Sequence, residues 1–133
     1  MMKEALTARL LASAPLAAIF GTRMNWGRRV QGEGLPALTM NGVSPGRSYH
    51  YRGAAGLAGP RVQFDLYALD FLTAEQGARA LVTTLEQPAV IGAIAFGPAF
   101  LDAERGPDTE DLGGGAQVQR ISMDFFIWFS PAA

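Results

Sequence analysis

The last part of the chain, Gln117–Phe129, alternates between two sets of side chains and therefore predicts a long strand. The first set consists of the even-numbered residues; it is mostly polar at its start and ends with Phe126 and Trp128. The second set is almost wholly apolar and is expected to face the core: Gln119, Ile121, Met123, Phe125, Ile127 and Phe129. Because Phe126 and Trp128 are apolar too, the end of this strand is expected to be covered on both faces.

A second clear alternation lies in Arg61–Leu69, where every second residue is apolar and predicts one buried face: Val62, Phe64, Leu66 and Ala68. Two shorter patterns precede it. Arg23–Gly27 predicts a brief strand, and Pro36–Val43 predicts a strand whose first position tolerates the missing N–H of proline. After the middle of the chain, Ile91–Asp102 predicts a further strand, bent or bulged at Gly97–Pro98.

Helical spacing appears in two places. At the start of the chain, Leu6, Leu10 and Leu11 predict an amphipathic helix, followed after Ser13–Pro15 by a short helical turn through Ile19. Later, Thr73 with Gln76 three positions on has the pattern of a capping box. The helix that it opens has an apolar stripe and ends before Pro88; the stripe is Ala78, Leu81, Val82 and Leu85.

The N-terminal apolar run resembles a signal peptide only superficially. Glu4 and Arg9 interrupt its start, Pro15 breaks it, and it falls far short of the roughly 20 residues that span a bilayer. We therefore expect a core helix and a cytoplasmic protein without membrane contact.

Two segments have little apolar periodicity and are predicted as long loops, at about 44–59 and 103–117. The first holds four glycines around the triplet Tyr49–Tyr51 and is interpreted as a loop or the mobile tip of a hairpin. The second is acidic and ends in Gly113–Gly115. There is no internal repeat, and residues 1–133 are expected to form a single domain.

Composition excludes several classes of protein. The chain has 133 residues, 49% of them hydrophobic, and a net charge of −1, which is incompatible with disorder of the whole chain. It contains no cysteine, so a disulfide or cysteine-ligated metal scaffold is excluded. A bulk nucleic-acid binder is disfavoured, because such domains are normally strongly basic.

The small net charge hides an asymmetry between the two halves. Residues 1–67 carry eight basic and three acidic side chains, a net +5, whereas residues 68–133 carry three basic and nine acidic ones, a net −6. The halves could pair internally, or they could present opposite charges to other copies of the chain. The sequence leaves both interpretations open.

The residues for catalysis or metal binding are sparse. His50 is the single histidine, and no Gly-x-Ser-x-Gly motif is present to expose a nucleophile. The acidic run Asp102–Asp111 lacks the spacing of an EF-hand loop, and the glycines match no phosphate-binding fingerprint. We therefore expect no catalytic residue, no cofactor and no metal.

An interaction surface is the better candidate for function. Arg28, Arg29, Arg47 and Arg52, with Tyr49 and Tyr51, have the composition of a nucleic-acid surface and equally that of a protein interface. The protein interface is favoured. With a neighbour's acidic patch as counterpart, the candidate set comprises Arg28, Arg29, Arg47, Tyr49, Tyr51, Arg52, Glu104, Asp108, Glu110 and Asp111.

The order of the segments resembles one known family. A Leu- and Ala-rich N-terminal helix leads to Arg23–Gly27, Leu35–Leu38 and Arg61–Ala68; then come Thr73–Leu81 and a closing Gln119–Trp128. Over nearly the whole chain, this order and spacing resemble the tail-completion, or tail-terminator, family of long-tailed bacteriophages and related gene transfer agents.

The resemblance implies an α+β domain, with an antiparallel sheet packed against two main helices, that assembles as a hexameric ring. Such a ring caps the head-proximal end of the tail tube, stops its growth and joins the tail to the head connector. DNA passes through its lumen without specific binding. Two alternatives remain: another connector protein such as a stopper, and a small ligand-binding or enzymatic domain with a site near Tyr49–Tyr51.

Overall fold

The computed structural model describes residues 2–28, 34–44, 47–50, 53–113 and 116–132. Within these ranges the chain forms three helices, α1 (Met2–Ala12), α2 (Ala14–Phe20) and α3 (Phe71–Leu85). It also forms ten strands: β1 (Met24–Trp26), β2 (Ala37–Ser44), β3 (Arg47–His50), β4 (Gly53–Ala58), β5 (Arg61–Ala68), β6 (Ala89–Ile91), β7 (Ile94–Phe96), β8 (Phe100–Gly113), β9 (Ala116–Phe126) and β10 (Phe129–Pro131).

The strands form two five-stranded sheets. The main sheet has the order β1-β2-β5-β9-β8, with β1 parallel to β2 and the other neighbours antiparallel. The second sheet has the order β3-β4-β10-β7-β6. Helices together with largely antiparallel sheets confirm the α+β class that the resemblance implied.

The apolar face of the main sheet is covered by the helices, and its residues meet in register. Phe64 lies opposite Met40 on one side and Met123 on the other, and all three are buried. Phe64 also packs edge-on against Phe125, with ring centroids 5.5 Å apart. The core thus contains the even residues of β5 together with Ile121, Met123 and Phe125 of β9, as their alternation predicts, whereas Gln119, also expected to face the core, is only partly buried.

α3 comes close to α2 because position 77 is glycine. A Cβ at Gly77 would lie 2.7 Å from the ring of Phe20 and 3.2 Å from the side chain of Leu66. Since real Cβ atoms do not approach a neighbour to 2.7 Å, a larger residue would push α3 away from α2 or from the sheet. Burial of Ala78, Leu81 and Leu85 confirms most of the predicted stripe, and Val82 packs against it partly buried.

The start of α3 lies three residues earlier than the capping-box prediction. Asp70, rather than Thr73, is the N-cap: its carboxylate accepts a hydrogen bond from the backbone N–H of Thr73 at 3.1 Å and from the Thr73 hydroxyl at 2.7 Å. Asp and Thr are both good cap residues, and the sequence pattern did not separate them. The prediction also grouped Leu11 with the buried leucines, but Leu11 is exposed.

The predicted loop at 103–117 is wrong. β8 continues through Gly113 and pairs with β9 from Phe100↔Phe126 to Gly113↔Ala116, with three shifts of register. One shift lies between Arg105 and Asp108, where Gly106 has φ +102° and approaches the Arg120 carbonyl too closely to carry a Cβ. This edge strand buries few side chains, so it lacks the apolar period by which a strand is recognised.

The predicted loop at 44–59 is also corrected. Its described part contains β3 and β4, paired at Arg47↔Ala58, Tyr49↔Ala54 and His50↔Gly53, which agrees with the hairpin alternative. Alanine and glycine dominate β4, so no alternation is visible in the sequence. Residues 45, 46, 51 and 52 lie outside the described ranges.

Candidate assembly interface

The main sheet has two ends, which are defined by its antiparallel strands. Ser44 lies opposite Arg61 at one end, hereafter the Ser44 end, and Ala37 lies opposite Tyr67 at the other, the Ala37 end. With a rise of about 3.3 Å per residue, the eight residues of β5 separate these ends by about 23 Å. The candidate interface residues divide between them.

The acidic candidates lie mainly at the Ala37 end, on a hairpin that extends past the sheet. β5 ends at Ala68 opposite Gln119, while β8 and β9 continue to pair with each other. We call this extension, residues 109–113 and 116–118, the hairpin arm. Glu110 and Asp111 lie on its β8 strand, and the exposed Asp108 stands at its base.

Glu104 does not belong with these acidic residues. It lies on the part of β8 beside α3, and its carboxylate accepts a hydrogen bond from Arg79 at 2.6 Å. The structure thus separates Glu104 from Asp108 and gives it a partner within the same chain.

The basic candidates lie toward the opposite end. Arg28 follows β1 and is exposed, two residues beyond the Trp26↔Met40 pair and toward the Ser44 end. Arg47 and Tyr49 are on β3, which follows β2 past Ser44. Arg29, Tyr51 and Arg52 lie outside the described residues.

Distance prevents Arg28 from pairing with the hairpin arm of its own chain. β1 and β8 are the two edges of the main sheet, and four interstrand spacings of about 4.8 Å place them about 19 Å apart. Residues at opposite edges and toward opposite ends cannot form an ion pair. Arg28 and the hairpin arm are therefore not partners of each other within one chain.

Internal charge pairing occurs elsewhere, on the face of the main sheet that the helices do not cover. Arg61 donates to Asp124 at 2.8 Å and pairs with Asp102, and Arg105 reaches Asp124 at 3.3 Å. Arg61 belongs to the basic half and both aspartates to the acidic half. One of the two interpretations of the charge asymmetry, internal pairing, thus holds for this group.

The same face continues toward the Ala37 end. Asp65 accepts a hydrogen bond from the Ser122 hydroxyl at 2.5 Å, and Arg120 Nε lies 3.8 Å from an Asp65 oxygen. We call Arg61, Asp65, Asp102, Arg105, Arg120, Ser122 and Asp124 the ion-paired face. Sequence reasoning did not identify it, although Asp65↔Ser122 and Gln63↔Asp124 are polar pairs in matched register.

Asp124 is the most constrained acid of this face. Burial disfavours its ionised form and would raise its pKa, but hydrogen bonds from Arg61 and Arg105 outweigh burial and hold the pKa below its ordinary value. The bond to Asp124 in turn raises the pKa of Arg61. The Arg61–Asp124 pair therefore stays charged over the whole physiological range.

The described residues contain no group of three or more acidic or histidine side chains that could hold a metal ion. His50 is the last residue of β3, opposite Gly53. No helix in the described ranges is long and apolar enough to cross a membrane. Arg28 and Asp108, exposed charges of opposite sign toward different ends of the main sheet, are of the kind that complementary protein interfaces use.

The chain is similar in structure to a chain of a solved assembly described as the virion of a native gene transfer agent particle. Sequence identity is 16%, the match covers 98% of this chain and 95% of that chain, and the TM-score is 0.73. Such a likeness establishes a shared fold, and a fold alone does not determine function. No protein-family model and no curated protein sequence matches the chain.

Proposed function

We propose that this chain is a structural protein of a phage-like particle and that, within it, it forms the ring that terminates the tail tube. The observation that carries the proposal is the shared fold over 98% of this chain with a chain of a gene transfer agent virion. The order of sequence segments, which resembles the tail-terminator family over nearly the same length, supports the finer role.

In this role the chain forms a hexameric ring at the head-proximal end of the tail tube, stops elongation and joins the tail to the head connector. Its partners are other copies of itself, the tube protein and the connector or stopper protein, with DNA passing through the lumen. It assembles in the bacterial cytoplasm, becomes part of the particle at the head–tail junction, and has no enzymatic activity.

The placement of charge suits a ring. In a head-to-tail ring, each interface joins two different patches of the same subunit. The hairpin arm, with Asp108 at its base, and the Arg28-bearing end lie too far apart to meet within one chain, but they can meet between neighbours. The interface would then use Arg28, Arg29, Arg47, Tyr49, Tyr51 and Arg52 on one side and Asp108, Glu110 and Asp111 on the other.

Electron microscopy of particles made without this protein tests the role. Loss of a terminator should give tails of abnormal length or tails that are not attached to heads. Tails of normal length that fail to join heads would instead indicate a stopper. Normal, joined particles would refute both roles.

A charge exchange tests the interface. Reversal of Arg28 and Arg29 to glutamate should impair tail joining, as should reversal of Asp108 and Asp111 to arginine. The four changes together should restore joining at least in part, because each reversed patch meets a reversed partner. Glu86→Lys, at the exposed C-terminal end of α3, is the control and should join normally. If the combined variant is as defective as either double variant, the pairing is wrong.

A further inference from the structure

The turn from β5 into α3 exposes three large apolar side chains in four consecutive residues. Leu69, Phe71 and Leu72 are 64%, 56% and 62% exposed, and Asp70 stands between them. We call these four residues the apolar knuckle. Single exposed leucines are common on protein surfaces, whereas a contiguous apolar group is typical of an interaction site.

The knuckle is held in one conformation. Asp70 bonds both the backbone N–H and the hydroxyl of Thr73, and these bonds keep the pKa of Asp70 below its ordinary value. Phe71 and Leu72 are the first two residues of α3, and the helix reaches the core only at Ala74. A fixed turn loses little conformational entropy when it binds, so this exposed group is preorganised for contact.

An apolar groove lies at the other end of the main sheet. Its cavity volume is about 360 Å³, and its walls are Met2, Lys3, Trp26, Gly42, Val43, Ser44, Pro60, Val62 and Phe129. Trp26 is fixed there, because its indole N–H donates to the Thr7 hydroxyl at 2.9 Å and lies 3.2 Å from the Lys3 carbonyl. The groove is therefore formed before anything enters it.

The two features carry opposite charges. Lys3 is the charged residue among the nine that line the groove, and its ammonium lies 5.1 Å from the centre of the Trp26 ring. The knuckle carries Asp70. The projection is apolar with one carboxylate, and the groove is apolar with one ammonium.

The knuckle cannot fill the groove of its own chain. Leu69 follows Ala68 at the Ala37 end, whereas Val43, Ser44 and Pro60 place the groove at the Ser44 end, about 23 Å away along β5. A projection and a groove at opposite ends of one molecule form a head-to-tail contact, which closes into a ring when the rotation between copies permits it.

We propose that the knuckle of one copy docks into the groove of the next copy, so that a second copy of this chain is the occupant of the groove. This inference rests on the proposed function, because a terminator ring is where identical copies would meet head to tail. The docking adds an apolar contact to the charged contact proposed above, and both contacts join the same two ends of the main sheet.

The absence of cysteine from the chain makes a direct test possible. Two single variants, Leu72→Cys and Val43→Cys, are mixed as full-length chains and oxidised, both at high concentration and in assembled particles. Both positions are exposed, so the substitutions should not disturb folding. Val90→Cys, 65% exposed on β6 in the second sheet, replaces Val43→Cys in the control mixture.

The proposal expects the mixture of Leu72→Cys and Val43→Cys to give cross-linked dimer in about tenfold or greater excess over the control, because docking raises the local concentration of the two thiols. The chain carrying both cysteines should give a ladder of higher oligomers. Equal yields in mixture and control, in both settings, would overturn the proposal. A dimer from Leu72→Cys alone in equal yield would also overturn it, since that is a two-fold contact.

A photoreactive residue at position 72 identifies any other occupant. Docking between copies gives a product of twice the 14.1 kDa chain. A product of another mass would mean that the knuckle binds a different protein and would refute the proposal. Cross-linking between copies, combined with normal joined particles when the protein is absent, would refute the terminator role and leave the docking intact. Terminator-type defects without cross-linking between copies would refute the docking and leave the terminator role intact.

Discussion

The two faces of the main sheet are made by the same strands and differ in what stabilises them. On the helix-covered face, Phe64 and its neighbours are buried among apolar side chains, and stability comes from removing that surface from water. On the ion-paired face, Asp65 and Asp124 are also nearly buried, at 6% and 5% exposed, but arginines cover them. Burial alone therefore does not tell the two faces apart.

The difference matters because the two kinds of burial contribute differently. Apolar packing adds stability at each buried group, whereas a buried ion pair roughly balances its own desolvation and becomes costly when one partner is removed. We infer that the helix-covered face supplies most of the stability, and that the ion-paired face fixes the register of β5, β8 and β9.

The largest expected effect is on the helix-covered face. Phe64→Ala removes a fully buried ring that packs on Phe125, and should lower the free energy of unfolding by about 3–5 kcal/mol. Denaturant unfolding of the purified chain measures it. Gln63→Ala, the next residue on the opposite face, is the matched control and should lose under about 1 kcal/mol. Similar losses at both positions would remove the proposed distinction between the faces.

The second effect concerns Arg9, a buried charge on the helix side. Arg9 donates to the carbonyls of Thr84, at 2.8 Å, and Gln87 at the end of α3, and its guanidinium lies over the Phe96 ring. Burial lowers its pKa. Arg9→Met keeps the packing but leaves these carbonyls unbonded, and should cost about 2–3 kcal/mol in thermal or denaturant unfolding. A neutral result would show that water replaces the guanidinium without loss.

The third effect tests the ion-paired face. Asp124→Asn keeps the shape but removes the charge that Arg61 and Arg105 contact, and should cost about 2 kcal/mol in denaturant unfolding. Asp102→Asn removes a more exposed partner of Arg61 and should cost under about 1 kcal/mol. Equal losses of unfolding free energy in the two variants would mean that the burial of Asp124 does not raise the cost of removing its charge.

The smallest effect is a dependence on pH. The folded pKa of Asp124 lies below its unfolded value of about 3.9, so its ionised pairs stabilise the protein above that value. This contribution is lost as the pH falls through the folded pKa. Unfolding midpoints at pH 6 and pH 3 should therefore differ more for the natural chain than for Asp124→Asn. Identical pH dependence in both chains would contradict the assignment.

Much of the fold was predictable wherever one face of an element is apolar. The strand at 61–69 and the helix ending before Pro88 show their period in the sequence. The predicted strand at 117–129 is correct as far as Phe126, where β9 ends; Phe129 begins β10 in the second sheet. β8 was missed because both its faces are largely polar at the edge of the sheet. The bonds of Arg9 were not predictable, because the pattern along α1 cannot show that the carbonyls at the end of α3 lie within its reach.

The candidate interface was predictable only as a list of residue types. Charge counting identified Arg28 and Asp108, but their positions at different ends of the sheet depend on strand order and register. The same limitation explains Glu104, which is separated from its sequence neighbours by its bond to Arg79. The apolar knuckle gave no signal either, because Leu69, Phe71 and Leu72 look like ordinary strand and helix residues.

The position of β9 in the main sheet has a consequence for how the protein is made. β9 lies between β5 and β8, yet the ribosome synthesises it after both, and its pairing with β5 joins residues as distant as Arg61 and Phe126. Until β9 emerges, β5 and β8 each present an unpaired edge, and contacts of such long sequence separation form slowly. β9 is thus the last strand of the main sheet to be made during translation, and completion of that sheet must wait for it.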